Sequence, residues 1–390
     1  MSNGRKHKQL YKCSWLWQTG YYAKTKQKGG RGMREGWEYK KLGDLCDIYQ
    51  PKTLATEQLV ADGKYYVYGA NGIIGRYNDY NHEQSEILLT CRGATCGTIN
   101  ISQPYSWING NAMVIHRKSE DLSFDFLKYL MLSLDYSLII TGAAQPQITR
   151  QKIAPIIVKF PSLSVQQSIV SELDKINELI RLKKEQLKDF DNLAQSIFYE
   201  MFGDEKYERR KLKDIVKVKS GQVSPLEDPY CDMVHVGPAN IESNTGRLIN
   251  LKTAKEENLI SGKYLFDSSM VLYSKIRPNL NKVTIADFEG ICSADMYPLI
   301  PSKSIDKKFL LFILKQKEFL SYAIANSGRA NIPKINREAL LEYSTILPPL
   351  SLQLQFAERL ALIEKQKEQI SSIIKDLETL LASRMQYWFD

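Results

Sequence analysis

The sequence at residues 169–201, IVSELDKINELIRLKKEQLKDFDNLAQSIFYEM, decides the fold. Its apolar side chains recur at alternating spacings of four and three residues, and neither proline nor glycine interrupts the run. Such a spacing keeps one apolar seam along an α-helix and is typical of a coiled coil. Ser164 lies before the seam, and Gln167 lies three residues after Ser164. We therefore expect these two side chains to form a capping box at the helix start. The predicted seam is Ile169, Leu173, Ile176, Ile180, Lys183, Leu187, Phe190, Ala194, Ile197 and Met201.

A second copy of this helix ends the chain at residues 356–388, FAERLALIEKQKEQISSIIKDLETLLASRMQYW. Segments 146–202 and 333–389 align without gaps at an offset of 187, and 14 of the 57 aligned positions are identical. The segment PQITR at 146–150 matches PKINR at 333–337. The chain is therefore one module used twice. The second seam is Phe356, Leu360, Ile363, Lys367, Ile370, Ile374, Leu377, Leu381, Arg384 and Trp388.

A globular part precedes each helix. KLGDL at 41–45 resembles KLKDI at 211–215 at an offset of 170, so the second globular part is 17 residues longer. Between these anchors the two copies share little sequence, which favours a scaffold that carries two different readers over a duplication that serves stability alone. We predict a basic arm at 1–33, globular domains at 34–160 and 204–347, and spacer helices at 161–203 and 348–390.

Connectivity fixes the direction of the two helices. The first leads into the second domain across about eight residues (203–210), and the second helix begins where that domain ends. If the helices pair, they are antiparallel, with one globular domain at each end. About 36 residues at 1.5 Å each span roughly 54 Å, close to fifteen base pairs of duplex DNA. A coiled coil used for homodimerisation is the alternative reading.

The globular parts read as α+β domains with short strands. In the first, strands are predicted at 65–68, 87–90 and 112–115, a turn-rich stretch at 69–77, and a helix at 122–138. In the second, strands are predicted at 270–274, 283–286, 291–295 and 296–300, and a helix at 307–325. The fold class is thus two mixed α/β domains joined by two long antiparallel helices with a pseudo-two-fold repeat.

The net charge of +9 is concentrated at one end. Residues 1–35 hold nine Lys or Arg and one acid, Glu35, so the rest of the chain carries only about +1. A DNA-binding surface must therefore come from local patches. The arm is either a disordered basic segment that touches phosphates or an extension upstream of a start at Met33.

Composition excludes several classes of protein. At 43% hydrophobic and 25% charged residues the chain is typical of a globular protein. It has no apolar run of the ~18–20 residues that a membrane span needs and no signal-peptide pattern, so we expect a cytoplasmic protein. The six cysteines form no C-x-x-C pair, so we expect reduced thiols and no structural zinc.

Most candidate binding residues lie at or after the ends of predicted strands, and Arg150 and Arg337 end the repeated segments PQITR and PKINR. Arg, Lys and Asn form bidentate contacts with guanine and adenine edges, and they also bind phosphates. Solvated loops and ordinary turn chemistry are the alternative reading of the same residues. The candidates in the first copy are Asn71, Arg76, Tyr77, Thr90, Arg92 and Arg150. The candidates in the second copy are Lys275, Arg277, Asn279, Asn281, Lys282 and Arg337.

Catalytic motifs are missing from the sequence. There is no G-x-x-x-x-G-K-[ST] phosphate loop, and the glycines at 69, 72 and 75 do not have dinucleotide-fold spacing. The segment EDPY at 227–230 only faintly resembles the Asp-Pro-Pro-Tyr box of adenine methyltransferases. With four histidines, no nucleophile–His–acid arrangement stands out. We expect a protein without catalysis of its own.

The chain resembles the specificity subunit of type I restriction–modification systems. The resemblance is carried by the frame W-E-x-x-x-L-G-D at 37–44, YGANGIIG at 68–75, SKIRPNLNK at 274–282 with GICS at 290–293, and the links FPSL and LPPL that open the helices. It covers about 34–390, with two recognition domains and two spacer helices in the family's order. The basic arm and the shorter first domain depart from the pattern.

This resemblance implies a role in an assembly. It implies that the chain reads a split, asymmetric double-stranded DNA target with one half per domain. It also implies two methyltransferase subunits bound through the helices, with motor–nuclease subunits joining them. S-adenosylmethionine, ATP and magnesium would belong to those partners, with no cofactor in this chain. A coiled-coil adaptor for proteins and the recognition half of a fused enzyme remain the alternatives.

Overall fold

The computed structural model describes residues 36–142, 145–203, 207–328 and 331–390. These residues form two compact units, one comprising the chain up to Lys184 with Ser372–Asp390 and the other Glu185–Ser371. The predicted basic arm at 1–33 lies outside the described residues. Within the described part, no helix is both long enough and apolar enough to cross a membrane.

Unit 1 is an α+β domain with three small sheets, ordered β2-β8-β5-β6, β4-β3-β7 and β1-β9. Its pairs are antiparallel except β3 with β7. The strands are β1 (Trp37–Lys41), β2 (Cys46–Tyr49), β3 (Tyr65–Gly69), β4 (Gly72–Tyr77), β5 (Ile87–Thr90), β6 (Ile99–Ile101), β7 (Trp107–Ile108), β8 (Ala112–Arg117) and β9 (Ile157–Pro161). The helices are α1 (Leu42–Leu45), α2 (Phe124–Ser133), α3 (Arg150–Ile153) and the first part of α4 (Leu163–Phe202).

Unit 2 repeats this plan with sheets ordered β11-β19-β16-β17, β12-β15-β18-β13-β14 and β10-β20. The strands are β10 (Arg209–Lys211), β11 (Val216–Val218), β12 (Gln222–Val223), β13 (Val234–Val236), β14 (Lys252–Thr253), β15 (Lys263–Phe266), β16 (Val271–Ser274), β17 (Val283–Thr284), β18 (Gly290–Cys292), β19 (Met296–Pro301) and β20 (Ser344–Ile346). The helices are α5 (Leu212–Ile215), α6 (Lys307–Lys315), α7 (Lys317–Ala325), α8 (Arg337–Glu342) and α9 (Leu350–Phe389).

The two units share the register of their central sheets. Thr90 of β5 faces Ala112 of β8, and Ser274 of β16 faces Met296 of β19, so both members of the pair shift by 184 residues. The larger second unit adds β12 and β15 to the sheet that holds β13. Because the central register is unchanged, this insertion leaves the strands that end at the candidate loops in place.

The long helices pair as the sequence predicts. α4 and α9 begin and end at residues 187 apart. In unit 1, Ile169 and Leu173 of α4 are fully buried in the core that also takes in Leu381 and Met385 of α9. In unit 2 the seam continues through Ala194, Phe356 and Ile363, all buried.

Ion pairs in unit 1 show that the helices run in opposite directions. Glu172 of α4 is bound by Arg384 of α9. Further along α4, Lys184 Nζ lies 2.7 Å from Oε1 of Glu378, which comes before Arg384 on α9. The residue number therefore rises on one helix as it falls on the other.

Unit 2 has the same order of pairs. Lys367 Nζ of α9 lies 2.9 Å from Oδ1 of Asp191, and Arg359 Nη1 lies 3.9 Å from Oε1 of Glu200. Here too the later residue of α4 meets the earlier residue of α9. The antiparallel prediction is confirmed.

A buried glutamine ties the start of each long helix to its domain. Gln166 is fully buried; its Oε1 accepts from Ser123 N (2.8 Å), and its Nε2 donates to the carbonyls of Asp121 (2.8 Å) and Pro161 (2.9 Å). Gln353 makes the same three bonds, with Asp306 N, Ser304 O and Pro348 O. The capping box predicted at Ser164 is wrong, because the helix already begins at Leu163.

Three sequence predictions of local structure need correction. The turn-rich stretch 69–77 is largely strand β4, where Gly75 lets the backbone approach Leu59; a Cβ there would lie 2.9 Å from a Leu59 methyl. The helix predicted at 122–138 ends at Ser133, because Leu134 is extended. The helix predicted at 307–325 is two helices, broken at Gln316, whose ψ is 150°.

Candidate nucleic-acid interface

A loop follows β5 in unit 1 and is fixed to the chain segment before α3. We call residues 91–98 loop A. The Gly93 N–H donates to Pro146 O at 2.9 Å, and the Ile148 N–H donates to Cys91 O at 3.0 Å. Between these bonds Gln147 bridges Arg92. Loop A is therefore built onto the segment 146–148 as if onto a short neighbouring strand.

Residues 275–282 after β16, which we call loop B, are held in the same way in unit 2. The Arg277 N–H donates to Pro333 O at 2.7 Å, and the Ile335 N–H donates to Lys275 O at 2.9 Å. Lys334 bridges Ile276 between them. Loop positions shift by 184 and segment positions by 187, so each bond of loop B has its counterpart in loop A.

The two loops also share an unusual backbone. Gly93 and Arg277 occupy the same loop position, and both have positive φ, at +89° and +47°. Gly97 and Asn281 do so four residues later, at +95° and +48°. This left-handed conformation favours glycine, and asparagine tolerates it, but an arginine there is strained. A Cβ built on Gly93 meets nothing within 4 Å, so the side chain at this position points into open space.

The six candidates of unit 1 fall into two groups, side chains that are exposed and side chains that make contacts within the domain. Arg92 and Arg150 are exposed, and Asn71 is exposed with its Oδ1 accepting from Thr95 Oγ1, which joins the 70–71 turn to loop A. Thr90 is fully buried and donates to Ala70 O, so its place is beneath that turn.

The remaining two candidates of unit 1 lie on β4. Arg76 is half-buried; its Nη2 donates to Lys64 O at 3.1 Å, and its guanidinium lies 4.5 Å from the Tyr66 ring centroid. Tyr77 packs edge-on against Trp107 with centroids 5.5 Å apart. The guanidinium of Arg76 is thus engaged with its own hairpin, whereas Arg92 and Arg150 have no side-chain bond among the described residues.

The six candidates of unit 2 divide in the same way. Lys275 Nζ donates to Ala294 O and Lys282 Nζ to Pro238 O, both at 2.6 Å. Asn281 is buried, and its Nδ2 donates to Lys315 O at 3.3 Å. These three side chains therefore brace loop B.

Three residues of unit 2 stay at the surface. Arg277 and Asn279 are exposed in loop B, and Arg337 is exposed at the start of α8. Arg337 Nη2 makes one long bond, 3.4 Å, to Val218 O. Within the described part of unit 2, Arg277 and Asn279 have no side-chain hydrogen bond. Loop B therefore offers a cation and an amide with their donors unused.

Loop A contains two thiols, those of Cys91 and Cys96. Burial raises the pKa of both Cys91 and Cys96 above the ordinary value of a thiol. A neutral thiol is a poor nucleophile, so neither residue is prepared for covalent chemistry. The group Asp228, Cys231 and Asp232 brings two carboxylates and one thiol within 4.8 Å of one another. Its thiol donates to Asp228 Oδ1 at 3.0 Å, and this bond raises the pKa of Cys231. That arrangement keeps the proton a metal would have to displace.

Sequence reasoning missed one pair of positions beside the loops. Gln147 and Lys334 are both exposed, and each bridges its own loop. They lie inside the segments PQITR and PKINR, which the repeat assigned to the common frame. The signal was present in the alignment, since these two positions differ between identical Pro and Ile neighbours.

Two similar domains, each presenting basic and amide side chains on a loop with a fixed backbone, define a repeated recognition protein. The family model described as "Type I restriction modification DNA specificity domain" matches the chain twice, at residues 34–189 and 204–379. The chain therefore belongs to the type I restriction–modification DNA specificity family.

Curated relatives and solved structures agree with this membership. The chain is 26% identical over 364 residues to the EcoDI specificity subunit of Escherichia coli, covering 83% of this chain and 80% of the relative. It is 23% identical to the MjaVIII specificity subunit of Methanocaldococcus jannaschii, covering 93% and 96%. The S subunit structure from M. genitalium matches with a TM-score of 0.57 at 14% identity, covering 93% of this chain and 98% of that one. That last likeness concerns the fold alone.

Proposed function

We propose that this chain is the non-catalytic specificity subunit of a type I restriction–modification complex and reads a split, asymmetric DNA target with one half-site per unit. The observation that carries the proposal is the pair of loops A and B, which share their backbone hydrogen bonds and differ in their exposed side chains. Two loops with the same backbone path and different exposed side chains suit two half-sites of different sequence.

Within this proposal the candidate residues have separate roles. Arg277 and Asn279 in loop B, and Arg92 with Asn71 at loop A, reach base edges or phosphates, because their donors are exposed. Lys275, Asn281 and Lys282 brace loop B, and Thr90 supports the 70–71 turn. Arg76 and Tyr77 pack within unit 1, on β4. Arg150 and Arg337 begin α3 and α8, where an exposed guanidinium suits a backbone phosphate.

Partners supply the chemistry. We propose that two methyltransferase subunits dock on the helices and that motor–nuclease subunits join them. S-adenosylmethionine, ATP and magnesium are then bound by those subunits and not by this chain. A DNA target places the complex in the cytoplasm. Membership of the specificity family supports these partners, because a subunit without catalytic motifs depends on others to act on the DNA it reads.

A selection experiment tests the proposal. The full chain, co-purified with the methyltransferase subunit of its own system, is incubated with a random duplex library, and the bound DNA is sequenced. We expect two short, different motifs at a fixed separation. The combined variant Arg277→Ala and Asn279→Ala should erase one motif and leave the other. A single continuous motif, or protein binding without any sequence preference, would overturn the proposal.

A further inference from the structure

We infer that Gln147 and Lys334 are specificity-determining residues, each reading a base edge beside its own loop. The inference rests on the proposed function and adds a second reading position to each unit, on a chain segment that the repeat places in the common frame. The two residues occupy one structural position, 187 residues apart, and carry different chemistry.

The main chain at Gln147 is held on both sides. Its N–H donates to Thr141 O at 2.8 Å, and its carbonyl accepts from Thr141 N at 2.9 Å. On the other side it bridges Arg92. The next residue, Ile148, is 3% exposed, and side chains alternate along an extended segment. Gln147 therefore projects outward from a fixed backbone, and its amide has no hydrogen bond among the described residues.

Lys334 has the same setting in unit 2. Its N–H donates to Ser327 O at 2.8 Å, it bridges Ile276, and the following Ile335 is fully buried. The side chain is exposed, and no ion pair of Lys334 occurs within the part of unit 2 that the structure describes. The ammonium group is thus presented beside loop B at the place where unit 1 presents an amide.

The neighbouring side chains make each position part of a larger reader. Residues paired across a bridge have their Cβ atoms about 4.5–5.5 Å apart. Gln147 therefore stands beside Arg92, whereas Lys334 stands beside Ile276. One position further along the loop, Gly93 in unit 1 corresponds to Arg277 in unit 2. Unit 1 thus offers the guanidinium of Arg92 and the amide of Gln147, whereas unit 2 offers the guanidinium of Arg277 and the ammonium of Lys334.

The chemistry of the two residues favours different bases. A glutamine amide pairs with the N6 and N7 atoms of adenine, and a lysine ammonium donates to O6 and N7 of guanine. A lysine that bound only phosphate would affect all sequences equally. A base contact and a phosphate contact can therefore be distinguished, because loss of the first changes the sequence preference and loss of the second changes only the affinity.

The test compares four proteins in the assembled methyltransferase complex: wild type, Gln147→Lys, Lys334→Gln, and the control Lys303→Gln. Lys303 is exposed and follows β19, at the end of the central sheet away from loop B. The DNA bound from a random duplex library is sequenced. We expect each of the first two variants to change the preferred base at one position of one half-site, by about 5- to 150-fold in discrimination. The control should keep the wild-type motif.

The outcomes separate the inference from the function beneath it. Motifs unchanged in both variants, whether affinity is equal or uniformly lower, would overturn the inference, because a uniform loss marks a phosphate contact. A wild-type complex that selects no split motif would instead overturn the proposed function. Gln147→Ala provides a second check, since removing the amide should relax one position of the same half-site that Gln147→Lys alters.

Discussion

Arg277 combines backbone strain with an exposed guanidinium, and replacing it with glycine should separate the two. Its φ of 47° and ψ of 60° lie in the left-handed region, which costs a residue with a side chain about 1–2 kcal/mol. Glycine removes that cost but adds about 0.4–1 kcal/mol of backbone entropy to the unfolded chain. Arg277→Gly should therefore raise the free energy of unfolding by about 0.5–1 kcal/mol.

DNA binding should change in the opposite direction. A lost bidentate base contact costs about 1–3 kcal/mol, so affinity for the cognate half-site should fall by about 5- to 150-fold.

The gain of about 0.5–1 kcal/mol in the free energy of unfolding corresponds, in a unit of this length, to a rise in Tm of about 1–4 °C. Thermal unfolding of the full chain and a competition binding assay on the cognate duplex, at one fixed salt concentration, measure the two effects.

Arg277→Ala is the matched control for this prediction. Alanine removes the guanidinium and keeps the Cβ, so it should lose the same affinity without the gain in Tm. A glycine variant that melts below wild type would refute the strain argument, and wild-type affinity in both variants would refute the contact. Gly93→Arg is the reciprocal change in unit 1, where the Cβ has open space.

Other predictions concern the long helices α4 and α9 and the side chains that anchor them. Gln353→Ala should lower the free energy of unfolding by about 2–4 kcal/mol, because a fully buried side chain and its three hydrogen bonds are lost, whereas the exposed Gln355→Ala should have little effect in the same thermal melts. The hydrogen bond from Arg384 lowers the pKa of Glu172, so this pair stabilises the fold above the unfolded pKa of about 4.3, and the contribution is lost as pH falls through the lower folded pKa. Glu172→Gln should therefore be less stable than wild type at pH 7, by about 1 kcal/mol or less, and the two urea midpoints should converge below about pH 4; a constant difference would contradict this. Seven residues inserted in each of α4 and α9 should lengthen the gap between half-sites by about three base pairs, and an unchanged gap in methylation mapping would refute a spacer role.

The apolar periodicity predicted the long helices, because the spacing along each helix determines which of its side chains are buried. Every seam position that the 3.5-residue spacing selected is buried or half-buried. The helix starts were not predictable in the same way. Ser164 has the right residue type for a cap, yet the helix begins one residue earlier, and a buried glutamine outside the capping-box pattern makes the anchoring bonds. Two of its three bonds reach residues more than forty positions away.

Breaks inside the shorter helices depend on distant contacts as well. The pattern from Lys307 to Ala325 is helical throughout, but the carbonyl of Lys315 accepts from Asn281 of loop B, and the chain turns at Gln316. No local signal marks that position. The sequence nevertheless identified the loop that makes the contact, because a strand pattern ends there.

The sequence predicted which residue types occupy the loops, but not which of their side chains are exposed. Strand-end loops rich in Arg, Lys and Asn led to Arg277 and Asn279, which are exposed, but equally to Lys275 and Lys282, whose ammonium groups donate to backbone carbonyls. Residue type cannot distinguish these cases, because a lysine that braces a loop and one that faces solvent have the same sequence context. Which donors are already used is decided by the fold.

The repeat separates what must stay constant from what is free to differ. The bonds that fix loop A to segment 146–148 and loop B to segment 333–335 are made by main-chain atoms, which every residue except proline supplies in full, so these bonds constrain the path of the loop without requiring particular side chains. Gly93 and Arg277 show how far this freedom extends, because one left-handed position accepts either residue at a cost of about 1–2 kcal/mol. A frame fixed through its backbone allows a change of base preference with little change in fold. That property suits a protein whose two units must read unlike sequences from one architecture.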